Sequence, residues 1–109
     1  MPFETPIACS LDAAETSDRL AEMSAVGAVA LVDSRLAGRR AQLRFANTGA
    51  TLDRLATIVA AESACCAFLT MKLRDLPDAI SLTIDAPDGA EPVLADLVAA
   101  FRGQPVAAA

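Results

Sequence analysis

The chain predicts an α+β fold of two layers, an antiparallel sheet with helices on one face. Two observations carry this: hydrophobic periodicity switches between two and 3.6 residues several times along the sequence, and the period-two stretches come in pairs joined by short turns. A third concerns size. With 109 residues, of which 54% are hydrophobic, the chain suffices for one core and leaves no room for a second domain. We expect a single domain over residues 1–103 and a frayed tail over 104–109.

The first expected element is a short strand, Phe3 to Ala8, which Pro2 and Pro6 restrict to edge-like geometry. Asp12 and Glu15 then have capping-box spacing and open a helix expected to end near Gly27. Thr16, Leu20 and Met23 form its inner stripe, with Glu15, Asp18, Arg19 and Glu22 on the outer face. Val29 and Leu31 begin a strand that turns back through Leu36-Ala37-Gly38-Arg39. The returning strand, Arg40 to Ala46, alternates Ala41, Leu43 and Phe45 with Arg40, Gln42 and Arg44.

Asn47-Thr48-Gly49 breaks that pattern, and a second helix is expected from Thr51. Its inner stripe runs Leu52, Leu55, Ile58, Val59, Glu62, Cys65 or Cys66, and Leu69, at steps of three and four. Met71 and Leu73, then Ile80, Leu82 and Ile84, mark a second hairpin around Pro77-Asp78. Asp88 and Glu91 repeat the capping-box spacing before a third helix with Val93, Leu94, Leu97, Val98 and Phe101 inward, stopped by Gly103. The order βαββαββα matches a ferredoxin-like core in its first six elements. In that core the first strand lies between the third and fourth, which would bring Cys9 beside the end of the second helix.

The chemistry available is that of thiols. There are three cysteines and no histidine, so cysteine–histidine catalysis is excluded, and no Walker or dinucleotide glycine pattern is present. The formal charge of −5 argues against a phosphate-tracking surface, and nucleic acid is not an expected partner. No stretch reaches the length of a membrane span, and Met1-Pro2-Phe3-Glu4 lacks the basic start and apolar run of a signal peptide. The expected compartment is the cytoplasm. There, an odd cysteine count reads as free thiols, metal ligands or redox groups before a disulfide framework. Lys72 is the only lysine and alanine is abundant, a codon bias of GC-rich bacterial genomes.

With Cys9-Ser10-Leu11 near the start and the Glu-x-x-Cys-Cys-x-Phe-Leu segment from Glu62 to Leu69, the chain resembles a group of small bacterial proteins. That resemblance implies the unity of the segment and no activity. Cys65-Cys66 also resembles the vicinal cysteines of bacterial metal-responsive regulators. Without a basic helix-turn-helix, the likeness implies metal binding and not transcriptional control.

Three thiolates from Cys9, Cys65 and Cys66 would suit a thiophilic ion: Hg(II), As(III) or Cu(I) in a trigonal site, or Zn(II) with a fourth donor such as Glu62 or water. Adjacent cysteines on a helix diverge by about 100°, so sharing an ion requires the helix to end or bend there. Glu62, if it points inward, would accept a thiol proton or hydrogen-bond a metal-bound group. Two other readings stand beside this one. In the first, Cys9, just before a helix N-terminus, is a redox nucleophile forming a disulfide with Cys65 or Cys66. In the second, the cysteines are packing residues, and the exposed sheet face with Arg40, Arg44, Lys72 and Arg74 serves a homodimer or another partner.

Overall fold

The computed structural model describes residues 13–65 and 67–103. Their order is α1 (Ala13–Ala30), β1 (Leu31–Ala37), β2 (Arg40–Phe45), α2 (Thr51–Cys65), β3 (Thr70–Asp75), β4 (Ile80–Asp85) and α3 (Glu91–Phe101). The strands form one sheet in the order β1-β2-β4-β3, with every neighbouring pair antiparallel. This is an α+β fold with a ferredoxin-like core. Because β2 and β3 both run opposite to β4, they are parallel to each other, and such a pair needs a crossover. Helix α2 supplies it.

Alternation decides which face of the sheet is covered. Ala41, Leu43 and Phe45 of β2 and Ile80, Leu82 and Ile84 of β4 are all fully buried beneath the helices. Between them stand exposed Gln42 and Arg44 and half-buried Ser81 and Thr83. The Phe45 and Phe101 rings meet edge to face, centroids 5.5 Å apart, tying the sheet to α3. No helix among the described residues is long and apolar enough to cross a membrane.

The expected first strand, Phe3 to Ala8, lies outside the described residues. The slot assigned to it, between the strand at 40–45 and the strand at 70–75, is occupied by β4, which pairs over six residues with each neighbour. The sequence of β4 is compatible with a central place. A central strand must use both edges of its backbone, and Ile80-Ser81-Leu82-Thr83-Ile84 has no proline to remove a ladder donor. The Cys9 position inferred from that slot therefore loses its topological basis, and Cys9 itself lies outside the described residues.

Helix α1 also departs from expectation, running through Gly27 to Ala30. Gly27 is a contact glycine and not a helix stop. A β-carbon there would lie 1.7 Å from the Phe101 carbonyl oxygen, so the missing side chain is what lets α1 and α3 approach. Val29 consequently belongs to the helix, where it is exposed, and β1 starts at Leu31 with a register shift before Asp33. The hairpin turn follows expectation, with Gly38 at φ 61°. At α3 the N-cap is Ala90, without a side-chain cap; Glu91 instead accepts a hydrogen bond from the Gly89 N–H at 2.9 Å.

Candidate functional site

The inner stripe of α2 places Leu55, Ile58 and Glu62 on one buried line, at steps of three and four. Glu62 is 3% exposed. A carboxylate at that depth needs compensation, and Arg19 of α1 provides it: its Nη1 donates to Glu62 Oε2 at 3.2 Å. Further along the same interface Arg54 Nε and Nη2 donate to the two oxygens of Glu22 at 2.9 and 3.0 Å. This second pair is closer to solvent. Its hydrogen bond to Arg54 holds the Glu22 carboxyl below its ordinary value, against a smaller opposing effect of burial. Arg19 and Glu22, expected on the outer face of α1, thus face α2. A helix carrying Arg54 and Glu62 offers them complementary partners in reverse order.

That reversal fixes the helix directions. From Arg19 to Glu22 the chain advances along α1, while their partners step back from Glu62 to Arg54, so α1 and α2 are antiparallel. The start of α1 lies beside the end of α2, and this end carries Cys65, the last residue of the helix. Ala67 and Phe68 follow in a turn. A shallow groove of about 220 Å³ runs between the two helices, lined by Asp18, Arg19, Glu22, Thr57, Ile58 and Ala61.

Of the residues singled out from sequence, Glu62 and Cys65 are therefore located on the final turn of α2, while Cys9 and Cys66 lie outside the described residues. Among the described residues no three His, Cys, Asp or Glu side chains gather as a metal site. Sequence reasoning missed both interhelical ion pairs. The signal was the sign order, Arg then Glu on α1 against Arg then Glu on α2, which matches only when the helices run in opposite directions. No family model, curated protein or solved structure matches the chain.

Proposed function

We propose that the protein binds a thiophilic metal or metalloid ion, Hg(II), As(III), Cu(I) or Zn(II), through Cys9, Cys65 and Cys66, with Glu62 supporting the ligands. The observation that carries this reading is the antiparallel pairing of α1 with α2. From the level of the Arg19–Glu62 contact, α1 extends back ~9 Å to Ala13 and α2 extends forward ~4.5 Å to Cys65. Cys9 precedes Ala13 by a tether of at most ~14 Å. A tether of that length that runs back toward α2 can bring Cys9 to the end of that helix.

Electrostatics favour an ion over a free thiolate at this end. The C-terminus of a helix carries partial negative charge, which raises the cost of ionising an isolated thiol and lowers that of holding a cation. Arg19 balances the charge of Glu62, so the carboxylate does not add to the repulsion among three thiolates. A bound ion would supply the charge that keeps the sulfurs ionised. Helix α2 ends at Cys65, so the divergence that a continuous helix imposes on adjacent residues need not hold between Cys65 and Cys66.

Titration of the reduced protein with Hg(II) or Cu(I), followed by ultraviolet thiolate-to-metal absorption, tests the proposal. Expected is one ion per chain and a marked loss of affinity in each of Cys9→Ser, Cys65→Ser and Cys66→Ser. Three single variants that bind as tightly as the parent would refute a shared site. Reversible linkage of Cys9 to Cys65 or Cys66 under mild peroxide, without metal binding, would instead support the redox reading.

A further inference from the structure

The outer face of the sheet has the opposite charge character to the chain as a whole. Five of the nine Lys and Arg residues project from it: Arg35, Arg40, Arg44, Lys72 and Arg74. Arg40 is committed, with Nε and Nη2 donating to the two Asp85 oxygens at 2.6 and 3.3 Å. The other four form no ion pair among the described residues. Strand register groups them in two rows. One runs Asp33, Arg44, Ser81, Arg74, and the next Arg35, Gln42, Thr83, Lys72.

Between these rows, over β1, β2 and β4, lies a depression of about 300 Å³ lined by Asp33, Arg35, Gln42, Arg44 and Ser81. Two guanidinium forks, an amide and a hydroxyl thus border one space. Arg35 and Arg44 sit diagonally across the β1–β2 pair, roughly 7–8 Å apart at their bases, so both can turn onto a single group between them. Planar guanidinium donors match the oxygens of a phosphate, and the space is at the small end of ligand sites.

We propose that this depression binds the phosphate group of a small phosphorylated molecule. Arg35 and Arg44 carry the charge recognition, and Gln42 and Ser81 supply neutral donors. A nucleic-acid strand fits the face less well. None of the outward residues is aromatic, so bases have nothing to stack on, and Asp33 and Asp85 interrupt any continuous basic track. Asp33 opposes the bound anion directly and sets an upper limit on affinity.

Inorganic phosphate titrated into the isotope-labelled full chain, against sodium chloride at matched ionic strength, tests this by amide NMR shifts. Expected are saturable shifts centred on residues 33–35, 42–44 and 81. Arg35→Gln and Arg44→Gln should each weaken binding about tenfold, the usual scale for one charged hydrogen-bonding partner. Asp33→Asn should tighten it severalfold, a gain that a misfolded variant cannot mimic. The proposal is overturned by shifts no larger than chloride gives, by full phosphate affinity in Arg44→Gln, or by a single-stranded oligonucleotide binding the same residues more tightly than phosphate.

Discussion

At Gly27 and Gly38 the absent side chain serves different ends, and substitution by alanine separates them. Alanine at Gly27 gains helix propensity of about 1 kcal/mol, but its β-carbon would sit 1.7 Å from the Phe101 carbonyl oxygen. A backbone atom cannot rotate aside, so α1 and α3 must separate. Overpacking of that kind costs about 3 kcal/mol and outweighs the propensity gain. At Gly38 no heavy atom lies within 4 Å of the added carbon, and only the positive φ of 61° is strained, worth about 1 kcal/mol. We expect denaturant unfolding to rank Gly27→Ala well below Gly38→Ala in stability. Equal losses would mean that the α1–α3 approach is looser than described.

The elements differ in how openly their sequences declare them. Strands β2 and β4 are legible because Ala41, Leu43 and Phe45, and Ile80, Leu82 and Ile84, alternate with polar residues. That pattern says which face is buried but not which strand lies beside which, and so β4 occupies a slot that sequence assigned to residues near the N-terminus. The extent of α1 is not legible, since the reason Gly27 tolerates a helix is Phe101, far along the chain. Glu62 is half legible: its place on the apolar stripe of α2 points it inward, but Arg19, which pairs with its charge, lies 43 positions away. The apolar stripe puts Cys65 or Cys66 late in α2 but runs on to Leu69, whereas the helix ends at Cys65, and the sulfur cluster rests on a strand order that β4 alters.

The α1–α2 pairing also makes a pH prediction. Glu22 titrates below its ordinary value of 4.5 in the folded chain because Arg54 hydrogen-bonds its charged form. A depressed carboxyl pKa gives stability that is fully present above the unfolded value and is lost as pH falls through the folded one. The pair is partly exposed, with side-chain accessibilities of 38% and 41%, so the effect is modest and screened by salt. Melting curves of the parent and Glu22→Gln should therefore differ slightly at neutral pH and converge in acid below 4.5. A gap that widens in acid would reverse the assigned sign.

At the scale of the whole molecule the two proposed sites lie on opposite sides of one core. Of the proposed thiol site, Cys65 ends α2 in the helical layer, while the proposed phosphate site is on the outer face of the sheet over β1, β2 and β4. Between them stand Phe45, Leu43, Leu82 and Ile84, all fully buried. Close-packed interiors transmit strain only where two arrangements compete, and the described ion pairs link helix to helix or strand to strand, never one layer to the other. Exposed charges separated by more than about 10 Å are also largely screened at ordinary salt. We therefore expect no coupling: the soft-metal affinity should be unchanged, within about twofold, in the presence of saturating phosphate, and Arg44→Gln should titrate with metal as the parent does. Linkage requires the reverse to hold equally, so phosphate affinity should be the same with and without the ion. A tenfold change in either direction would place a two-state element between the layers, with the Arg102–Ser34 hydrogen bond at 2.7 Å, which joins the end of α3 to β1, as the first contact to substitute.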